Sequence, residues 1–293
     1  MYPGEFDYHR PASLAEAVSL MDSLGSGAVM MAGGQSLIPL MKLRLSNPEV
    51  VVDISRVDGL SQVSVDGGRM RVGALVRHVE LEDGRHGLPP GADLVREAAY
   101  GIGDRQVRNL GTLGGALAEA DPTGDWGPVV LALDGAITAI GPGGERRIAA
   151  DDLFVGPYAS SLEHGEIIRG IELTVPTGAG SCYLKLERRA GSFAIASIAL
   201  WVVLEADALR ACGIGLGGVG LTPVRPAAAE RLLAGRAVDD LPVREAAVAI
   251  QDDISPVDDV RGGSDYKRSL IEPMLRRALD IAVSRARSAT ERG

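Results

Sequence analysis

The chain of 293 residues is long enough for one large or two ordinary domains, and its 46% hydrophobic and 24% charged residues are typical of a soluble globular protein. Its net charge of −9 argues against binding to a phosphate backbone, so nucleic acid is not an expected partner. The two cysteines, Cys182 and Cys212, cannot by themselves hold an iron–sulfur cluster or a structural zinc ion, and their scarcity fits a reducing compartment.

The N-terminal segment predicts a helix, a glycine-rich loop and a buried strand. Ser13-Leu14-Ala15-Glu16 is a capping box, and the apolar residues that follow it at helical spacing predict a helix over 13–24. The apolar run 28–31 then leads into the loop Ala32-Gly33-Gly34-Gln35-Ser36-Leu37, and residues 37–41 are expected to form a helical turn. The run 50–54 predicts a buried strand.

Residues 62–176 predict short strands that alternate with helices. Asp66-Gly67-Gly68 is a hairpin signal, and a second glycine-rich loop, Leu110-Gly111-Thr112-Leu113-Gly114-Gly115-Ala116, follows later in this stretch. Strands are expected at 62–65, 70–72, 136–140, 145–149 and 166–175, and helices at 92–100 and near 126–133.

The two glycine-rich loops carry the strongest functional signal of the residues themselves. Without Cβ atoms, the chain can turn sharply and present several backbone N–H groups to one anion. Two such loops could close on the two phosphates of a dinucleotide from opposite sides, with the dipoles of following helices adding to the field. The alternative is that glycine pairs simply form turns, and the residues alone leave both interpretations open.

The pattern changes after Thr177-Gly178-Ala179-Gly180-Ser181, which is the best candidate for a linker. Strand-like runs follow at 183–186, 195–204 and 209–219, and helix signals follow at 226–234, 242–251 and 264–287. Three strands and then three helices suggest a separate α+β domain. Residues 288–293 are expected to be frayed.

The sequence predicts a cytoplasmic protein. Its longest apolar run, 193–204, is too short to cross a bilayer and is better interpreted as a buried strand. The N-terminus carries Glu5, Asp7 and Arg10 without an apolar run, so it does not resemble a signal peptide.

Motifs of other chemistries are incomplete. Gly215-Leu216-Gly217-Gly218-Val219-Gly220 matches the dinucleotide fingerprint G-x-G-x-x-G, but prolines follow where that fingerprint needs a helix, so a strand edge and turn are expected. The scattered histidines His9, His78, His86 and His164 are interpreted as surface or satisfied residues, and no serine-nucleophile motif occurs. No catalytic or metal-binding residue is therefore predicted, and cofactor binding is the leading function.

An ordered set of motifs, spread nearly from end to end, resembles the FAD-binding medium subunit of the molybdenum hydroxylases. That family includes the flavoprotein subunit of carbon monoxide dehydrogenase and the flavin domain of xanthine dehydrogenase. The motifs are 3–11, 13–18, 32–42, 111–115, Ala120-Asp121-Pro122 with Asp125, 185–189, Ser255-Pro256, Arg261-Gly262 and Tyr266-Lys267.

The resemblance implies an α+β fold. A FAD-binding domain of the p-cresol methylhydroxylase type, made of two α/β subdomains, is expected over residues 1–176. A C-terminal flavoprotein-subunit domain with a three-stranded antiparallel sheet and helices is expected over residues 177–293.

The resemblance also implies the cofactor-binding residues. The loops that hold the FAD pyrophosphate in such proteins correspond here to Ala32, Gly33, Gly34, Gln35, Ser36, Leu37, Thr112, Gly114, Gly115 and Ala116. Asp125 matches the carboxylate that binds flavin-side hydroxyls, Ile168 an aliphatic chain near the isoalloxazine or adenine, and Lys185 a lysine that approaches the cofactor. A surface Asp, a core Ile and a solvated Lys are the alternatives.

Two positions depart from the family pattern. Ala116 stands where the family often has asparagine, so one side-chain hydrogen bond to the cofactor is missing. Phe193 stands where relatives can carry tyrosine beside the flavin ring, and it can stack but not donate. The change at Ala116 bears on the affinity for FAD, and the change at Phe193 bears on the redox potential of the flavin.

The function implied is that of an electron-transfer flavoprotein subunit of a molybdenum hydroxylase. It would take electrons from 2Fe–2S clusters of a small partner subunit and pass them through FAD to an external acceptor, while a large molybdopterin subunit hydroxylates the substrate. A dimer of heterotrimers is the expected assembly. A self-sufficient FAD-dependent oxidoreductase of the same fold and a subunit that has lost its cofactor are the alternatives.

Overall fold

The computed structural model describes residues 2–290 of the chain, which form four sheets and a larger number of mostly short helices. The strands are β1 (Asp7–His9), β2 (Ala28–Met31), β3 (Val50–Asp53), β4 (Val63–Asp66), β5 (Arg69–Gly73), β6 (Ala136–Gly141), β7 (Gly144–Ala149), β8 (Phe154–Gly156), β9 (Ala159–Ser160), β10 (Ile167–Thr174), β11 (Gly180–Leu186), β12 (Ala196–Glu205) and β13 (Ala208–Gly217). The α-helices are α1 (Leu14–Leu24), α2 (Leu37–Lys42), α3 (His78–Glu82), α4 (Asp93–Gly101), α5 (Arg105–Arg108), α6 (Leu113–Glu119), α7 (Trp126–Ala132), α8 (Ala150–Leu153), α9 (Ala227–Leu233), α10 (Val243–Asp253), α11 (Ser264–Ser269) and α12 (Ile271–Thr290).

The N-terminal sheet is parallel, with strand order β1-β3-β2. Its central strand buries Val51 and Val52, as expected of a β-branched run with neighbours on both edges. Helix α1 packs beside this sheet, and the Ser13 hydroxyl accepts the Glu16 N–H at 3.2 Å as predicted. The Glu16 carboxylate accepts the Ala12 N–H at 2.7 Å, so the second half of the capping box closes on that residue.

The second sheet is antiparallel, with strand order β4-β5-β10-β6-β7. Strands β4 and β5 form the predicted hairpin, whose turn contains Gly67 at φ +53° and Gly68 at φ +80°. This left-handed conformation favours glycine and matches the strand twist. Strand β10 lies at the centre, and its Ile171 and Leu173 join the core shared with α4, α6 and α7.

The third sheet is antiparallel with order β11-β12-β13, which confirms the predicted α+β fold and its three-stranded C-terminal sheet. Helix α12 packs on one face of it, and helices α4 and α7 pack on the other. Side chains therefore alternate along β11, with Cys182 in the C-terminal core and Tyr183 in the N-terminal core.

Two expectations for the C-terminal part are wrong. Gly180 and Ser181 of the supposed linker belong to strand β11, where the Ser181 side chain is fully buried and donates to the Gly91 carbonyl at 2.5 Å. The helix predicted over 264–287 is divided at Leu270, because Pro273 has no N–H to continue the ladder from α11.

The chain end also differs from the expectation. Residues 288–290, predicted to be frayed, continue helix α12, and the remaining residues of that prediction, 291–293, lie outside the described residues. Helix α12 is the longest helix, but across residues 2–290 no helix has the length and apolar character needed to cross a membrane.

Candidate functional site

The first glycine-rich loop connects strand β2 to helix α2. Gly34 adopts φ +71°, and the Gln35 side-chain amide donates to the Gly33 carbonyl at 3.0 Å, which fixes the turn. The backbone N–H groups of Gly34, Gln35 and Ser36 have no hydrogen-bond partner within residues 2–290. Consecutive free amides in a turn of this kind form an anion-binding concavity.

The second glycine-rich loop has its amides mostly in use. It continues into helix α6, whose N-cap is Thr112, with the hydroxyl accepting the Gly115 N–H at 3.1 Å. The Gly114 N–H donates to the Ala74 carbonyl at 2.9 Å, and the Ala116 N–H donates to the Thr112 carbonyl at 3.0 Å. This loop therefore offers its Thr112 N–H and hydroxyl hydrogen rather than a row of amides.

The two loops lie directly against each other. A Cβ atom on Gly33 would lie 2.1 Å from the Leu110 carbonyl oxygen, and one on Gly114 would lie 2.5 Å from the Ala74 Cβ atom. Both glycines are thus required by contacts within the protein, before any ligand is considered. Helices α2 and α6 have six and seven residues, so each has fewer than two full turns.

A cleft of about 430 Å³ opens along this junction and is lined by both loops. Its wall includes all of the sequence-predicted site residues except Asp125 and Lys185: Ala32, Gly33, Gly34, Gln35, Ser36, Leu37, Thr112, Gly114, Gly115, Ala116 and Ile168. The volume falls within the usual range of small-molecule sites. The fold therefore brings together residues from distant parts of the sequence.

Asp125 and Lys185 lie together in a separate buried cluster. The Lys185 ammonium is 3.0 Å from the Asp125 carboxylate and donates to the Gly101 carbonyl at 2.8 Å. The Tyr183 hydroxyl donates to Asp125 at 2.6 Å. Helix α7 positions Asp125 at its N-terminus, and strand β11 points Tyr183 and Lys185 to the same face.

Burial dominates the electrostatics of this cluster. The side chains of Lys185 and Asp125 are 7% and 6% exposed, so neither is the solvated residue of the alternative interpretation. Burial raises the pKa of Asp125, opposed by the Lys185 charge and by the Tyr183 hydrogen bond. Burial, followed by the Asp125 charge, raises the pKa of Tyr183 well above its ordinary value.

His78 is a residue of the cleft wall that the sequence did not indicate. It is 4% exposed, and its Nδ1 accepts a hydrogen bond from the Trp126 indole N–H at 3.1 Å. Burial and the neighbouring Arg108 charge lower its pKa from 6.5 to about 4, so the ring is neutral near pH 7. His78 had been interpreted as a surface or satisfied histidine, and its Nδ1 is satisfied.

We expect the free energy of unfolding of the isolated chain to decrease as the pH falls from 6.5 to about 4, because of His78. The unfolded chain takes up a proton on this ring near 6.5 and the folded chain does not until about 4, so the free energy of unfolding falls by at most about 3 kcal/mol across that window. Urea unfolding at a series of pH values measures this. His78→Gln should lack this component, and an unchanged pH slope in that variant would contradict the assignment.

The apparent dinucleotide fingerprint has a packing role. The predicted strand edge and turn is confirmed: β13 lies at the edge of its sheet, and Gly218 turns at φ +76°. Gly213, Gly215 and Gly217 share one face of β13, and a Cβ on Gly215 would lie 1.9 Å from the Pro128 carbonyl oxygen. The glycines let helix α7 lie directly on the strand.

The departures from the family pattern have different surroundings. Ala116 lines the cleft, and its methyl group has no hydrogen-bonding capacity there. Phe193 is 53% exposed, with the Arg261 guanidinium 5.6 Å from its ring centroid.

Glu119 also lines the cleft, and burial, followed by the Asp121 charge, raises its pKa.

Of the other histidines, His164 also lines the cleft, whereas His86 does not. His86 lies 3.5 Å from the Glu80 carboxylate, and the His164 ring is 3.3 Å from the Met21 carbonyl oxygen. In the part of the chain that the structure describes, no group of three or more His, Cys, Asp or Glu residues could hold a metal ion.

Two family models match this sequence in succession. Residues 4–177 match a model described as FAD binding domain in molybdopterin dehydrogenase. Residues 181–282 match a model described as CO dehydrogenase flavoprotein C-terminal domain.

Curated relatives and solved structures agree with those matches over nearly the whole length. The chain is 38% identical to the carbon monoxide dehydrogenase medium chain of Afipia carboxidovorans, over 98% of this chain and 100% of the relative. It is 35% identical to the glyceraldehyde dehydrogenase medium chain of Sulfolobus acidocaldarius, over 95% of this chain and 98% of the relative. A solved structure, reconstituted CO dehydrogenase from Oligotropha carboxidovorans, superposes with a TM-score of 0.94 at 37% identity, covering 97% of this chain and 100% of that one.

Proposed function

This chain belongs to the family of FAD-binding flavoprotein subunits of molybdenum-containing hydroxylases and dehydrogenases, and from that premise we propose that the cleft between its two glycine-rich loops holds the FAD diphosphate. The chain is thus the electron-transfer subunit of an oxidoreductase complex. One observation carries the placement of the diphosphate. The three residues of the first loop whose amides are free, Gly34, Gln35 and Ser36, line the same cleft as the second loop.

The residues present fit the cofactor. Free N–H groups at Gly34, Gln35 and Ser36 suit phosphate oxygens, and the Thr112 hydroxyl can donate from the other side because its oxygen already accepts from Gly115. A side chain at Gly115 would crowd this hydroxyl, because a Cβ atom there would lie 2.8 Å from the Thr112 oxygen. The rest of the wall around the proposed diphosphate site is formed by Ala32, Gly33, Leu37, Gly114 and Ala116.

Three residues away from the loops are proposed to act on the rest of the cofactor. Ile168, which is 5% exposed and lines the cleft, would pack against a ring. Asp125 would accept hydrogen bonds from cofactor hydroxyls, and Lys185 would place a fixed positive charge near the flavin. When bound, FAD supplies a group that accepts electrons and releases them to an external acceptor.

The chain's own residues are proposed to bind FAD and to set its redox potential, and none is proposed as a catalytic acid or base. Buried positive charge at Lys185 would favour the anionic reduced cofactor, which is one way a protein sets the redox potential. The apolar walls of the cleft would exclude water from the bound group.

The partners are proposed to be a small subunit with 2Fe–2S clusters and a large subunit with the molybdopterin cofactor, in a cytoplasmic dimer of heterotrimers. Relatives of this chain are described as medium chains, which implies other chains beside them. Only two cysteines occur here, so the clusters would be carried by a different chain.

The domain boundary is proposed at residues 176 and 177. The limits of the two family matches support it, since one ends at residue 177 and the other begins at residue 181. Pro176 also ends the extended segment that follows strand β10.

Purification of a tagged full-length chain from its source organism tests this proposal. We expect iron- and molybdenum-containing subunits to accompany it, with about one FAD released per chain on denaturation. A metal-loaded complex whose medium chain carries no flavin would contradict FAD binding. Rapid oxidation of an organic donor by the chain alone would instead indicate a self-sufficient flavoenzyme.

A further inference from the structure

His78 lies on the cleft wall beside the second loop. Its backbone N–H donates to the Gly111 carbonyl at 3.1 Å, and the Leu113 N–H donates to the Val76 carbonyl at 3.0 Å, so the start of α3 is held against that loop. A Cβ atom on Gly111 would lie 2.8 Å from the His78 Nε2 atom. The ring therefore has a fixed position at the junction of the two loops.

The tautomer of His78 follows from its neighbour. The Trp126 indole nitrogen can only donate, and it lies 3.1 Å from the His78 Nδ1 atom, so Nδ1 is the acceptor and the hydrogen is on Nε2. Within residues 2–290, no protein group accepts a hydrogen bond from that Nε2–H. A nearly buried ring thus has one unused donor in a residue that lines the cleft.

The second loop offers the cleft few donors, namely the Thr112 N–H and hydroxyl. The first loop contributes free amides, whereas the N–H groups of Leu113, Gly114, Gly115 and Ala116 already have partners in the protein. A diphosphate has more acceptor oxygens than the first loop and Thr112 can pair, and an unpaired anionic oxygen in a cleft is costly.

We propose that His78 is a binding residue whose neutral Nε2–H donates to an anionic oxygen of the ligand in this cleft, with Trp126 as the positioning residue that fixes the tautomer. The inference rests on the proposed function, under which this oxygen belongs to the FAD diphosphate. A neutral donor adds a hydrogen bond without the cost of burying a second charge.

FAD titration of the deflavinated complex tests this. The substitution His78→Phe removes the Nε2–H donor. It should weaken FAD binding by about 10- to 100-fold, as expected for the loss of a hydrogen bond to a charged group. His78→Gln keeps an acceptor for the indole and a donor for the cleft, and it should recover most of that affinity. His86→Gln, at a histidine outside the cleft wall, is the matched control and should bind FAD as the wild type does.

The outcomes separate the two proposals. If the wild-type complex carries no FAD, both fail. If the wild type binds FAD and His78→Phe binds it equally tightly, only the role of His78 fails.

Histidine-selective ¹⁵N NMR on the wild-type chain gives a second measurement that does not depend on a folded variant. A protonated Nε2 whose signal shifts on FAD addition supports the assignment, and a protonated Nδ1 overturns it. In Trp126→Phe, the ring should sample both tautomers.

Discussion

A complex that carries Gly33→Ala should contain almost no FAD. The added Cβ atom would lie 2.1 Å from the Leu110 carbonyl oxygen and 2.8 Å from the Gly111 Cα atom, both backbone atoms of the second loop. Backbone cannot rotate away as a side chain can, so the two loops must separate. An opening of even 1 Å removes the aligned donors from a diphosphate that spans them.

The FAD content per purified chain measures this effect, and Gly143→Ala is the matched control. Gly143 has open space around the position of a Cβ atom and no left-handed backbone, so its replacement should leave the FAD content unchanged. Circular dichroism and the unfolding midpoint establish whether the Gly33→Ala chain remains folded. Stoichiometric FAD in that variant would be incompatible with the two-loop site.

Lys185→Met should destabilise the chain by about 3–5 kcal/mol, the usual effect of removing one member of a buried ion pair. The Asp125 carboxylate would keep its burial and its hydrogen bond from Tyr183 but lose the cation 3.0 Å away. The pKa of Asp125, already raised by burial, would rise further. A carboxyl with a raised pKa in the folded state is destabilising when ionised, so the loss should shrink as the pH falls through that pKa.

Denaturant unfolding of three variants resolves this prediction. Asp125→Asn in the Lys185→Met background removes the uncompensated charge and should recover part of the lost stability. Lys42→Met, at an exposed lysine, should change the free energy of unfolding by less than about 0.5 kcal/mol. A Lys185→Met loss no larger than that of Lys42→Met would show that the pair contributes little.

Long or strongly patterned elements were predictable from the sequence. The capping box at Ser13, the hairpin at Gly67-Gly68 and the strand pattern after Tyr183 all fall where local chemistry and tertiary structure agree. The first loop was also located correctly, because paired glycines between apolar segments are a local signal, but residues 113–116 of the second belong to helix α6. Their adjacency was a hypothesis that the shared cleft supports.

Short elements were missed for a different reason. Helices α3, α5 and α6 have five, four and seven residues, which is too few for helical periodicity to appear. Without α6, the sequence did not reveal that the amides of the second loop are used within the protein. Sequence reasoning therefore treated the two loops as equivalent, whereas within residues 2–290 the first has a row of free N–H groups and the second does not.

His78 shows what spacing cannot reveal. Its partner Trp126 is distant in sequence, and no motif links the two residues. Asp125 and Lys185 likewise meet only because the start of α7 and strand β11 border the same core, which contains Trp126 and Tyr183. A tryptophan followed by apolar residues at the start of a helix was the one available hint of a buried polar contact, since a buried indole N–H needs an acceptor.

The glycine face of β13 has a consequence for chimaeric proteins. Helix α7 contacts the backbone of β13 at Gly213, Gly215 and Gly217, with no room for a Cβ atom between them. The distance between helix and sheet is therefore set by residues of the C-terminal part of the chain. A hybrid that joins this N-terminal half to a foreign C-terminal half with larger residues at these places would lift α7, and Asp125 would be carried away from Lys185. Exchange of halves between relatives should succeed only where the C-terminal half has glycine at the same three positions of this strand.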